Sequence, residues 1–115
     1  MVELIVLEYL TEALAVPAYM EEPEDPGESY VVIEKTGGSV SNHIETATIA
    51  VQSYGATLYD AAVLNETVKQ ALAEIDSLDD IGGVEIGSDY NFTDPTTKRY
   101  RYQCLSTITY SYGRI

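Results

Sequence analysis

The sequence has no tryptophan, one phenylalanine, one cysteine and one histidine. A lone cysteine, Cys104, excludes an internal disulfide framework and suits a reducing compartment, with the cytoplasm as the default. A lone histidine, His43, leaves almost no room for a Ser-His-Asp arrangement or a two-histidine metal site, and it reads as a loop or strand-end residue. Basic residues are also scarce. Six Lys plus Arg against 19 Asp plus Glu give a formal net charge of -13, which disfavours wrapping nucleic acid through phosphate neutralisation and equally disfavours an anionic membrane surface. No long apolar run is free of charge. "MVELIVLEYLTEALAV" is interrupted by Glu3, Glu8 and Glu12 and has no basic lead, so it reads as neither a signal peptide nor a membrane span. The sequons at Asn65 and Asn91 therefore carry little meaning.

What is present is enough to fold. The 115 residues, 45% of them hydrophobic, fit a single domain spanning 1–115 with one modest core, and lie outside the low-hydrophobicity regime of disordered acidic chains. Leu4, Leu7, Leu10 and Leu14, widened by Ile5 and Tyr9, predict an amphipathic helix that ends near Val16, before Pro17. "VPAYM" follows as a short extended piece. "EEPEDPGE" (21–28), with five acids, two prolines and a glycine, predicts an exposed loop. "YVVIEKT" reads as a strand running into a turn at Gly37-Gly38, and "HIETATIAVQSYG" as its antiparallel partner.

Thr57 as N-cap with Asp60 three residues on predicts the start of a second helix, whose buried stripe is Ala61, Leu64, Val68, Ala71, Leu72 and Ile75. "DSLDD" and Gly82-Gly83 are expected to end it. "VEIGSDYNF" then reads as a strand, "TDPTTK" as a turn, and residues 99–112 as a last strand. In that strand Tyr100, Tyr102, Cys104, Ile108, Tyr110 and Tyr112 share one face, and Arg99, Arg101, Gln103, Thr107 and Thr109 the other. The expected fold class is α+β: two layers, a mostly antiparallel sheet with two helices packed on one face, in the order α-β-β-β-α-β-β.

The motifs that suggest chemistry are incomplete. Lys35-Thr36-Gly37 occurs in serine acyl-enzymes of the β-lactamase type, but no Ser-x-x-Lys accompanies it, and Ser88-Asp89-Tyr90-Asn91 only approximates the Ser-Asp-Asn element. Gly82 to Gly87 has the spacing of a phosphate loop, yet Ser88-Asp89 stands where Lys and Ser/Thr are required. "DSLDDIGG" fails as a calcium loop because Leu78 occupies the third position. Cys104, among tyrosines in an alternating strand, reads as a buried small hydrophobe. No catalytic, cofactor-binding or metal-ligating residue is assigned, and an enzyme is not expected. Ten tyrosines divide between a covered strand face and an interface, since Tyr is suited to both. Lys98, Arg99 and Arg101 hold half the basic charge, and they are natural partners for the 21–28 acids across a subunit contact or a contact with a neighbouring protein.

"VPAYMEEPEDPGESYVVIEKTGG" and "IETATIAVQSYGATLYDAAVLNETVKQAL" resemble the tail-completion, or tail terminator (head-tail joining), proteins of long-tailed phages and prophages over most of the chain. The shared pattern is Pro17 before a short strand, a Pro-containing loop leading to Tyr30–Gly38, and Ile49–Gly55 leading into a helix. The resemblance implies a small α+β domain that assembles as a six-membered homo-oligomeric ring on the tail tube. It also implies a structural virion protein, made in the host bacterial cytoplasm, that stops tube growth and joins the tail to head connector proteins. DNA would pass through the ring without sequence-specific binding, and no membrane or cofactor would be involved. Two other classes remain open: an acidic DNA-mimic inhibitor of a nucleic-acid-binding protein, suggested by charge alone, and a small hydrolase.

Overall fold

The structure, a computed structural model, describes residues 1–111, so the sequence-based placement of Tyr112 lies outside the described residues. Helix α1 spans Val2–Ala13, strand β1 Ala18–Tyr19, β2 Tyr30–Ser41, β3 Ile44–Tyr54, helix α2 Leu58–Ala73, β4 Ile81–Asn91 and β5 Arg101–Ser111. A 3₁₀ turn at Ile75–Ser77 links α2 to β4. The strands form one sheet in the order β1-β2-β3-β5-β4. Every pairing is antiparallel except the short β1–β2 contact. The order α-β-β-β-α-β-β and the two-layer α+β architecture agree with the sequence reading.

Helix α2 begins as its cap residue dictates. The Thr57 hydroxyl accepts from the Asp60 amide at 3.0 Å, which satisfies one of the backbone donors that a helix start leaves without a partner. Ala61, Val68 and Leu72 turn inward, and Leu64 and Ala71 pack at the margin of the core. The helix lies across β3, β5 and β4, while α1 lies on β2 and β1. Ile49, Val51, Cys104 and Ile108 meet these helices from the sheet.

Helix α1 is rolled relative to the expected stripe. Val2, Val6, Leu10 and Leu14 are buried, whereas Leu4 is 43% exposed and Leu7 only packs at the core's edge. The helix is apolar almost all round, so periodicity selects no single face. Tyr9 makes a specific contact on the side that is buried: its hydroxyl donates to the Ala71 carbonyl at 2.6 Å, joining the two helices.

The turn expected at Gly37-Gly38 is instead at Asn42-His43. Both of these residues have positive φ, 53° and 67°, as a two-residue hairpin turn matched to strand twist requires. Asn tolerates that region, and so an Asn-led pair can replace a glycine turn. The two glycines lie inside β2, next to a bulge between Lys35 and Gly37. Gly82-Gly83 likewise do not end α2 but sit in β4, beside a bulge between Ile81 and Gly83. The last strand starts at Arg101, later than expected, because Arg99 and Tyr100 belong to the preceding loop.

Candidate functional site

With both helices on one side, the other side of the sheet carries no helix and is covered in part by loops, which leave Tyr30, Tyr54 and Gln103 buried. Register sets its rows. Val32, Gln52, Gln103 and Tyr90 are neighbours across four strands, and Tyr30, Tyr54 and Arg101 form the next row. The first row is linked by side-chain amides: Gln52 Nε2 donates to Gln103 Oε1 at 2.8 Å and Gln103 Nε2 donates to the Tyr90 hydroxyl at 2.6 Å.

The second row is an arginine–aromatic cluster. The Tyr30 and Tyr54 rings stack with centroids 4.4 Å apart and planes at 8°. Tyr19 meets Tyr30 edge-on at 6.1 Å, and Tyr90 meets Phe92 at 5.9 Å. Arg101 lies 4.5 Å from the Phe92 centroid and 5.8 Å from that of Tyr54, while its Nε donates to the Phe92 carbonyl at 2.7 Å and its Nη1 to the Tyr54 hydroxyl at 2.9 Å. Arg99 covers the Tyr54 and Tyr30 rings at 5.0 and 5.7 Å. Each such cation–ring contact is worth about 0.5–2 kcal/mol, depending on how dry it is.

The loop that delivers Arg99 is tied by its own side chains. Asn91 Oδ1 accepts from the Thr93 amide and hydroxyl, and Asp94 Oδ1 accepts from the Thr96 amide. The Thr96 amide, helped by that of Thr97, holds the Asp94 carboxyl below its ordinary pKa. Lys98 takes a positive φ of 55° and donates its amide to the Asp94 carbonyl at 2.8 Å. Between this loop and residues 27–30 lies a cleft of about 240 Å³, lined by Tyr30, Tyr54, Gly55, Lys98, Arg99 and Tyr100 among others.

The acidic loop reaches the same cluster. Glu22 accepts from the Tyr30 hydroxyl and pairs with the Arg99 guanidinium. The expected partnership of Arg99 with these acids across a subunit boundary is therefore met inside one chain. As an ion pair with both partners partly in solvent, it contributes only about 0–1 kcal/mol, so its chief effect is to position the loop. The remaining acids of residues 21–28 are exposed, as the sequence predicts.

Helix α2 contributes a polar residue that its apolar pattern did not reveal. Asn65 is 1% exposed and donates through Nδ2 to Asp89 Oδ2 at 2.8 Å, at the second bulge of β4. Lys69 pairs with the other Asp89 oxygen at 3.3 Å, and the Asp89 carboxylate holds the Lys69 ammonium above its ordinary pKa. The position could have been found from the helix period, since Asn65 falls on the line of Ala61, Val68 and Leu72.

The other sequence candidates are dispersed. Lys35-Thr36-Gly37 lies at the β2 bulge, where the Thr36 hydroxyl makes only a long contact to the Thr48 carbonyl, 3.4 Å. His43 is in the exposed hairpin turn. Among the described residues, no three His, Cys, Asp or Glu side chains are grouped to hold a metal ion. Among the described residues, Tyr30, Tyr54 and Tyr110 are buried, while Tyr59, Tyr90 and Tyr100 are exposed. Burial, then the Glu45 carboxylate, pushes the Tyr110 phenol well above its ordinary pKa.

Cys104 is fully buried beneath α2, and burial first, then the Asp89 carboxylate, pushes its thiol up to about 11. Thiolate is the reactive form. Iodoacetamide should therefore leave the folded protein unmodified at neutral pH and label it stoichiometrically in denaturant, as read by intact mass. Rapid labelling of the folded chain would contradict this placement.

No protein-family model matches the chain, and no curated protein matches it either. In fold it is similar to a protein chain of the virion of a native gene transfer agent (GTA) particle. The TM-score is 0.60 at 15% identity, covering 92% of this chain and 84% of that one. At that identity the likeness is one of fold.

Proposed function

We propose that this chain is a structural protein of a phage-like virion and, within it, the tail terminator: a homo-oligomeric ring that caps the tail tube, stops its growth and joins the tail to the head connector. The observation that carries this reading is the fold shared with a chain of a gene transfer agent virion across nearly the whole domain. The tail tube protein and the head connector are its partners, and DNA passes through the ring without base-specific contacts. The net charge of -13 suits a passage along which DNA must not stick, because phosphate and carboxylate repel. The work proposed is mechanical and needs no catalytic set. The host cytoplasm is the place of assembly and the virion tail the destination.

Deletion of the gene from its parent phage or prophage is the direct test. Filled heads and tails should accumulate unjoined, with many tubes of abnormal length in electron micrographs. Normal tail lengths and normal infectious particles would refute the assignment. In that event, inhibition of a DNA-binding enzyme by the purified protein would favour the acidic DNA-mimic class.

A further inference from the structure

Among the described residues, the sheet has two free edges of opposite kind. On one side, β1 covers β2 only at Val31 and Val32, and among the described residues no strand pairs with the outer side of β2 from Ile33 to Ser41. On the other side, β4 is the terminal strand for all of its 11 residues. Such edges present unpaired backbone donors and acceptors, which only another extended backbone satisfies in full. Natural edges are commonly blunted by charge or proline. Here Thr36 to Ser41 carry neither.

Burial along β2 sharpens the contrast. Tyr30–Ile33 are buried, whereas Glu34–Ser41 are exposed without alternation, so this half of the strand is open on both faces as well as its edge. Gly37, Gly38, Ser39 and Ser41 keep side chains short there, and Gly82, Gly83, Gly87 and Ser88 do so along β4. Small residues in strands permit close backbone approach.

Direction makes the two edges complementary. Each step from β2 to β3, β5 and β4 is antiparallel, so β4 runs opposite to β2. When copies are related by rotation about an axis along the strands, β4 of one copy meets β2 of the next in antiparallel fashion, the stronger ladder geometry.

We propose that the β2 edge from Ile33 to Ser41 binds the β4 edge of a second copy of this chain, head to tail, continuing one sheet from subunit to subunit. Contacts of this kind use two different patches, so they propagate and close into rings when the rotation allows. The proposal supplies the subunit contact for the ring of the proposed function and rests on that reading only for its biological role. The edge pairing itself is testable on the purified protein.

Because Cys104 is buried, an introduced exposed cysteine is the reactive thiol. The full-length Ser39→Cys/Glu85→Cys variant, treated with a short bismaleimide cross-linker, should give a ladder of linked species, and each single variant should stay monomeric on denaturing gels. The Asn42-His43 turn makes Ser41 and Ile44 a hydrogen-bonded pair, so Val40 and Gly38 direct their amides outward. Adding Val40→Pro removes one outward donor and should abolish the ladder without changing the circular dichroism spectrum. In the wild-type chain the Val40 and Gly38 amides should exchange more slowly as protein concentration rises. Dimers from Ser39→Cys alone would show β2 pairing with itself and overturn the proposal. So would a ladder that survives Val40→Pro, or concentration-independent exchange with no linked species. A ladder in the purified protein together with normal tails in the deletion strain would retain the edge pairing and reject the terminator role.

Discussion

Leu72→Ala should lower the unfolding free energy by about 2–5 kcal/mol, the usual cost of emptying a fully buried leucine site. Leu72 has no exposed surface and packs with Val68, Ile75 and the sheet. A small domain has roughly 5–15 kcal/mol in total, so this one change removes a large share. Leu64→Ala, on the same helix but at the margin of the core, should cost clearly less, because the space it leaves is open to water and no enclosed cavity forms. Urea midpoints of the two variants against wild type test the contrast. Equal losses would mean that the buried line of α2 is wrongly placed.

Gly55→Ala should also be strongly disruptive, by about 1–3 kcal/mol or more, through overpacking against backbone. A Cβ at this position would stand 2.5 Å from the Ala61 amide nitrogen and 2.9 Å from the Asp60 carbonyl carbon. Those atoms belong to the first turn of α2 and cannot rotate aside like a side-chain end. Gly55 is also anchored from the other side, its amide donating to the Tyr100 carbonyl at 3.2 Å. Relief therefore requires the helix start to move, and with it the wall of the cleft that holds Tyr54 and Arg99. Gly27 provides the comparison: its φ is +83° but a Cβ there meets nothing within 4 Å, so Gly27→Ala carries only a conformational cost of about 1–2 kcal/mol. Thermal midpoints and the near-ultraviolet tyrosine spectrum should both change for Gly55→Ala. A perturbation of both signals no greater than that of Gly27→Ala would remove the close approach at residue 55 as a determinant.

What could be read in advance followed the strength of local signals. The start of α2 was legible because Thr57 and Asp60 define a cap within one turn, and the faces of β5 because Cys104, Ile108 and Tyr110 alternate with residues of the helix-free side. Glycine is ambiguous in both hairpins: Gly37-Gly38 and Gly82-Gly83 have the letters of a chain break but mark strand interiors beside bulges. Nothing local separates these uses; the difference lies in what the strand pairs with. The roll of α1 was hidden for the related reason that an apolar helix takes its orientation from tertiary partners. The arginine–aromatic cluster was visible only in parts. Tyrosine abundance and the Lys98–Arg101 cluster are sequence facts, but the placement of Tyr30 beside Tyr54 and of Arg101 beside Tyr54 depends on long-range register.

The position of β5 has a bearing on how the molecule is made. The strand that comes last among those described stands between β3 and β4, in the interior of the sheet. During synthesis, residues 44–54 and 81–91 must wait for residues 101–111 before either gains its shared neighbour. Until then a nascent chain carries additional unsatisfied strand edges, the kind of surface on which incomplete chains associate wrongly. The ladder between β3 and β5 also spans a long stretch of sequence, which slows folding relative to hairpin pairing. A chain truncated just before residue 101 and held clear of the ribosome by a long unstructured linker should accordingly remain protease-sensitive, although both helices and four of the strands are present.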